Sequence, residues 1–266
     1  MNSQNMIWFA SYPKSGNTWV RTIIQEMVAP GLKPTVAIPS LIKEFPDDAP
    51  VFDIMGTRAK IIKTHCHTAH KRLRRITDNV IGVITIHRHP LDVMLSYINF
   101  SYVKKNNDNF KGGILKTVTN IIHDGDLDYY VDEFIALDGC KEYSKICRSW
   151  SQYYGDWAAV AGDGSHLELC YEELAEYPVE GVERIRTFLR LPPMDIPELL
   201  FRVEQQTSLD GRFFWRKKAY NFQDLIPEAS IRRFENHFAE SLTRLGYRGE
   251  SVGEARPIRS ASLKIF

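Results

Sequence analysis

The 266-residue chain predicts an α/β protein, a single domain with a central parallel sheet flanked by helices. Three observations carry that reading. Short apolar or β-branched runs recur at Met6–Ser11, Ala59–Thr64, Val80–His87 and His166–Cys170; stretches of helical spacing separate them; and a glycine-containing turn, SYPKSGN, joins the first run to the first helix. Apolar runs this short, with little alternation, suit strands buried on both faces of a parallel sheet. Strands alternating with helices supply the cover.

Each element has its own warrant. MIWFAS, the turn and a helix from Thr18 to Val28 form a P-loop-like strand–loop–helix, the opening of many phosphate-binding α/β proteins. Pro30 to Pro50 is proline-rich and expected to be irregular. AKIIKT and VIGVITIH are buried strands, and Pro90 opens a helix with Asp92 in its first turn. Ser101 to Gly139 reads as an insertion over the core, and the region near 101–149 as a lid or pocket wall. Ser144 to Val160 has the spacing of one helix through Ile146, Trp150, Tyr153 and Trp157. HLELC is a strand, Val182–Leu191 an amphipathic helix, and Glu228–Leu245 a final one entered through Pro227. With no repeat and no linker, residues 1–266 are kept as one domain.

Composition narrows the function classes. A chain 44% hydrophobic and 25% charged is ordinary globular material, long enough to bury roughly 70–75% of its unfolded surface without disulfides or metal. Lys and Arg total 34 against 33 Asp and Glu, a formal charge of +1, so no general attraction to nucleic acid is expected. No apolar run approaches the roughly 18–20 residues of a membrane span. MNSQNMIWFASYPK lacks a basic leader and does not read as a signal peptide. Cys66, Cys140, Cys147 and Cys170 form no CxxC pair and read as reduced thiols. The expectation is a cytoplasmic protein without membrane insertion.

The sharpest feature is Tyr12-Pro13-Lys14-Ser15-Gly16-Asn17-Thr18-Trp19. Backbone amides of such a loop, with the helix N-terminus, cradle an anion; Lys14 adds charge, and Ser15 and Thr18 can supply hydroxyls. A nucleoside-triphosphatase loop reads GxxxxGK[ST]. Here Lys14 precedes Gly16 and Asn17 follows it, so the register is different. The octet resembles the 5′-phosphosulfate-binding loop of the cytosolic-type sulfotransferases, YPKSGTTW, with Asn17 the departure. Further elements of that family follow in order. Lys63-Thr64-His65 resembles its KTH segment, and Arg88-His89-Pro90-Leu91-Asp92-Val93-Met94-Leu95-Ser96 its RNPxDxxxS segment. Tyr171-Glu172-Glu173 resembles YED, Thr207-Ser208-Leu209 the TSF element with Leu209 replacing the aromatic, and Arg216-Lys217 the start of the RKG loop. Lys218 replaces that glycine and the GDW that follows it is absent, which leaves the closing loop's shape open. The usual dimer segment of animal relatives is missing too, so the oligomeric state is open.

The resemblance implies 3′-phosphoadenosine 5′-phosphosulfate (PAPS) as co-substrate, adenosine 3′,5′-bisphosphate (PAP) as product, and a small hydroxylated acceptor, with no metal required. It implies His65 as base, Arg88 and Ser96 on the 3′-phosphate with Arg216 and Lys217 closing over it, and Tyr171, Thr207 and Leu209 on the adenine side. Residue chemistry agrees: imidazole titrates near 6.5, Lys63 shares a strand face with His65, Lys14 can stabilise the leaving group, and Trp19 can stack on adenine for about 1–3 kcal/mol. Each has a plainer rival. Trp19 is also a core residue of a first helix, Ser96 a hydroxyl bonded back to its helix, Tyr171 a strand-end packer, Arg216-Lys217 a solvated basic run. His65-Cys66-His67-Thr68-Ala69-His70 invites a metal reading but matches no strong zinc spacing. Tyr102, Phe110, Tyr129, Tyr130 and Phe134 are candidates to line an acceptor pocket for a lipophilic alcohol or phenol, or to form the insertion's own small core. A P-loop kinase and a catalytically inactive nucleotide-binding module stand as alternatives.

Overall fold

The computed structural model describes residues 5–41, 46–73, 79–108, 118–161, 165–207 and 218–247, the side chains of 102–108 excepted. Five strands, β1 (Asn5–Ala10), β2 (Phe52–Ile54), β3 (Thr57–Thr64), β4 (Val80–His87) and β5 (Ser165–Cys170), form one sheet in the order β2-β3-β1-β4-β5. All neighbours are parallel except β2, which pairs antiparallel with β3 at the edge. The helices are α1 (Asn17–Val28), α2 (Pro34–Ala37), α3 (Pro90–Asp108), α4 (Val118–His123), α5 (Leu127–Leu137), α6 (Ser144–Cys147) and α7 (Trp150–Ala161). They continue with α8 (Tyr171–Glu176), α9 (Pro178–Phe188), α10 (Ile196–Thr207), α11 (Asn221–Leu225), α12 (Glu228–His237) and α13 (Ala239–Arg244).

The strands bury both faces because successive side chains point to opposite sides. Met6, Trp8 and Ala10 of β1 join Ile62 and Val83 in a core with Val131, Trp150, Trp157 and Phe234 from α5, α7 and α12. Ile7 and Phe9 join Ile61, Ile84 and Leu169 in a second core with Ile23, Ile185 and Val203 from α1, α9 and α10. The sheet is therefore covered on each side, as a continuous apolar strand pattern requires.

Several expectations are corrected. The helix expected over Ser144–Val160 is two, α6 and α7, because Arg148 takes a left-handed conformation (φ 57°) between them. The carboxylate of Asp138 starts the second, accepting from the Ser151 amide at 2.9 Å. Glu228–Leu245 is likewise two helices, broken at Phe238, whose ψ of 23° leaves the helical range. The helix placed at Val182–Leu191 begins four residues earlier, on Pro178 at its first turn. Within the stretch read as irregular, Pro34–Ala37 forms one helical turn, and within 101–139 the chain is helical over α4, α5 and the end of α3. The edge strand β2 and the helix α10 were not anticipated.

Parallel pairing aligns the carboxyl ends of the strands. Phe9 lies opposite Lys63, Ala10 opposite both Thr64 and Thr85, and His87 opposite Cys170. The segments that follow β1, β3, β4 and β5 therefore emerge along one edge, where α/β sheets bind ligands.

Candidate active site

A cleft of about 370 Å³ opens at that edge. The β1–α1 loop supplies Pro13, Lys14, Gly16, Asn17, Thr18 and Trp19; the end of β3 supplies Lys63 and His65; β4 and α3 supply Arg88, Ser96 and Phe100; Tyr171 begins α8. Arg21, Tyr143, Ile146 and Cys147 complete the wall. None of these described lining residues is a carboxylate.

The loop is held open by its backbone. Lys14 (φ 73°) and Gly16 (φ 97°) are both left-handed, and Gly16 starts α1 with no side-chain cap, leaving first-turn amides to an incoming anion. A Cβ on Gly16 would lie 2.5 Å from Tyr171 Cδ2, so glycine is required for space as well as for φ. The Lys14 ammonium lies 4.2 Å from the centroid of the Phe100 ring.

Ser15 departs from expectation. Its hydroxyl is fully buried, 3.1 Å from the Tyr154 hydroxyl, and does not line the cleft. The loop turns that side chain into the core, so Ser15 offers the cleft its amide alone. Asn17 ties the loop to the base: its Nδ2 donates to Ser11 Oγ at 2.9 Å, and Ser11 Oγ is 3.4 Å from His65 Nδ1.

The decisive contact lies 2.6 Å from His65 Nδ1, where the Ser11 carbonyl oxygen sits. A carbonyl only accepts, so Nδ1 carries the proton and Nε2 is the unprotonated nitrogen. Burial first, then the Lys63 charge, hold His65 well below the ordinary imidazole range, and the Ser11 bond opposes them only in part. His65 is thus neutral at physiological pH and fit to take a proton. Burial and the Arg21 charge bring Lys63 down to about 7. Cys147 donates to the His65 carbonyl at 3.0 Å and the His67 amide to the Ile146 carbonyl at 2.8 Å, fastening the α6 wall beside the base.

Arg88 follows β4 directly and is held on three sides. It pairs with Asp92 at 3.0 Å, donates to the Lys218 carbonyl at 3.2 Å, and lies over the Tyr171 ring at 4.2 Å. Its buried Nε has no hydrogen-bond partner among the described residues. Tyr171 meets Trp19 edge to face at 6.0 Å, so Trp19 both lines the cleft and packs against the core, and the two readings of it coexist. Glu172 is buried and structural: it accepts from the His89 amide (2.9 Å) and the Tyr247 hydroxyl (2.8 Å), joining the β4 and β5 ends to the last described residues.

Other expected residues fall elsewhere. Thr207 closes α10 with its buried hydroxyl donating to the Val203 carbonyl at 2.9 Å, and it is not among the residues lining the cleft. Leu209, Arg216 and Lys217 lie outside the described residues, as do Phe110 and the side chain of Tyr102. Phe134 packs in the core against Trp150 and Phe234, Tyr130 lies against that core, and Tyr129 is exposed. None of the three lines the cleft, which takes Phe100, Tyr143 and Ile146 instead. Sequence reasoning missed Arg21; its signal was a basic residue one turn after Asn17 on the helix that follows the phosphate-binding loop. Among the described residues no three metal-type side chains come together, and no helix is long and apolar enough to cross a membrane.

Residues 4–246 match the family model described as the sulfotransferase domain. Mouse sulfotransferase 6B1 is 28% identical over 269 residues, covering 93% of this chain and 78% of its own. The flavonol 3-sulfotransferase of Flaveria bidentis is 24% identical over 280 residues, covering 91% and 83%. Among solved structures, retinol dehydratase in complex with androsterone and PAP shares the fold at a TM-score of 0.61 and 14% identity, over 92% of this chain and 82% of that one. Mouse sulfotransferase SULT7A1 complexed with PAP does so at 0.59 and 18%, over 90% and 85%. The chain belongs to the sulfotransferase domain family. Sulfuryl transfer is its reaction class, and this membership sets the kinase alternative aside.

Proposed function

We propose that the protein transfers a sulfuryl group from PAPS to a hydroxyl of a small lipophilic or aromatic acceptor. The carrying observation is the placement of a neutral, tautomer-fixed His65 in one cleft with the Lys14–Trp19 loop, Lys63, Arg88 and Ser96. The described residues fit a polyanionic donor: an uncapped helix start, a glycine with no room for a Cβ, a buried Arg88 Nε with no partner among the described residues, and lining cations with no carboxylate among the described lining residues.

When bound, PAPS supplies the sulfur–oxygen bond that breaks at its 5′-phosphate as the acceptor oxygen bonds to sulfur. The chain's own residues do the rest. The loop amides from Ser15 to Thr18 and the start of α1 hold the 5′ end, and Lys14 stabilises the charge left on the departing oxygen. Arg88 and Ser96 take the 3′-phosphate, a role the resemblance extends to Arg216 and Lys217, and Trp19 and Tyr171 flank the adenine, to which the resemblance also assigns Thr207 and Leu209. His65 Nε2 receives the acceptor's hydroxyl proton, while Lys63 steadies the transferred group. The segment near 101–149 is the acceptor wall, through Tyr143, Ile146 and Cys147. Four free, buried thiols support a reducing setting, the cytoplasm.

The test is His65→Ala, with turnover of PAPS on a panel of phenols and alcohols and PAP binding by calorimetry. Turnover falls by about 10²–10⁴-fold, the range for a lost general base, while PAP still binds. A parent protein that binds PAP yet sulfates nothing on a broad panel would instead support the inactive binding module.

A further inference from the structure

Arg21 is a cation that the transfer chemistry above leaves unused. It stands one helical turn beyond Asn17 on α1 and lines the cleft. Its guanidinium reaches the β3 side, where Nε donates to the Ile38 carbonyl at 2.7 Å and Nη2 donates to the same oxygen. Ile38 is buried, and the residues after it run beside β3: the Lys63 amide donates to Pro39 at 3.0 Å and the Leu41 amide to Lys63 at 2.8 Å. The Ile38 carbonyl that holds Arg21 immediately precedes Pro39, the partner of the Lys63 amide, which places Arg21 at the base end of the cleft. Burial draws Arg21 down to about 10. Nη1 has no acceptor among the described residues.

The donor's expected contacts are the β1–α1 loop and Arg88 and Ser96 after β4, and β4 lies across β1 from β3. The rest of the cleft wall is Phe100, Tyr143, Ile146 and Cys147, which suits an apolar body. A guanidinium among such groups offers that body one charged anchor, and its fork geometry matches a carboxylate. We propose that Arg21 binds a carboxylate of the acceptor, so that the substrate class is hydroxylated aromatic or lipophilic acids rather than neutral alcohols. This rests on the reading of the cleft as a PAPS-dependent sulfotransferase site.

The experiment titrates para-hydroxyphenylacetate and its neutral counterpart para-hydroxyphenylacetamide into the protein saturated with PAP, then compares kcat/KM for the two. The acid binds about tenfold or more tighter than the amide, the range for a hydrogen bond to a charged group. In Arg21→Met that ratio collapses toward unity, and Arg21→Lys restores part of it. Phenylacetate, which has no acceptor hydroxyl, competes with the acid in the unaltered protein, so the idea is checked even if the variants do not fold. Equal affinity for acid and amide in the unaltered protein overturns the proposal and leaves the sulfotransferase reading standing. A loss of PAP affinity in Arg21→Met, equal for both acceptors, overturns it too and assigns Arg21 to the donor. Failure of the unaltered protein to bind PAP removes the underlying reading, and the proposal with it.

Discussion

Gly16→Ala is the perturbation whose consequences the structure defines most sharply. Two costs arise. The backbone sits at φ 97°, where an L-residue is strained by about 1–2 kcal/mol. The new Cβ would also lie 2.5 Å from Tyr171 Cδ2, 3.1 Å from Cε2 and 3.3 Å from Ile86 Cδ1. The tyrosine ring cannot simply slide away, because Arg88 lies 4.2 Å over its face and Trp19 meets its edge. Overpacking of that kind costs about 1–3 kcal/mol, so the expected loss is about 2–5 kcal/mol in urea unfolding with an unchanged m-value. Whatever relief the structure finds moves the loop, Tyr171 or Arg88, and all three belong to the proposed donor site, so PAP affinity in calorimetry is expected to fall as well. Gly31→Ala is the control: its φ is 85° and nothing lies within 4 Å of its added Cβ, so only the backbone cost applies. A Gly16→Ala protein no less stable than Gly31→Ala, with unaltered PAP affinity, would refute the reasoning.

Two further outcomes follow from the same geometry. Lys63, held near 7 by burial and Arg21, is largely neutral at pH 8, and a bound polyanion raises it toward its ordinary value. PAP binding at pH 8 therefore takes up a proton and weakens as pH rises above 7; calorimetry in buffers of different ionisation enthalpy measures the uptake, and Lys63→Met abolishes it. Asp92 is buried, pairs with Arg88 and accepts from the Phe222 amide at 3.0 Å. Asp92→Ala thus leaves the buried Arg88 charge without its counter-ion and the Phe222 amide without its acceptor, costing about 3–5 kcal/mol in urea unfolding, whereas Asp92→Asn, which keeps an acceptor for Phe222, costs less.

How far the sequence could be read depended on where the information lay. Apolar runs such as MIWFA and VITI announce strands because burial on both faces demands them, and the order of strand, loop and helix places Lys14 and Gly16 at a strand's carboxyl end. The helix break at Arg148 was not legible, because a left-handed arginine has no composition signal and is imposed by the contacts of Asp138 and Trp150. The edge strand β2 has only three residues and pairs through its backbone. By contrast α10 was readable, its buried Ile196, Leu199, Val203 and Thr207 recurring at helical spacing. In the site, residue identity revealed the loop and His65. It did not reveal that Ser15 turns inward to Tyr154, nor that the Ser11 carbonyl chooses the His65 tautomer, because both depend on which atoms the sheet brings together.

The central claim is that this cleft recognises a nucleotide through its 3′-phosphate. Calorimetric titration of the purified protein with PAP in EDTA, beside ADP, tests it most directly. The account predicts tight binding of PAP with little affinity for ADP. Equal affinity for the two, or binding that requires magnesium, would contradict it.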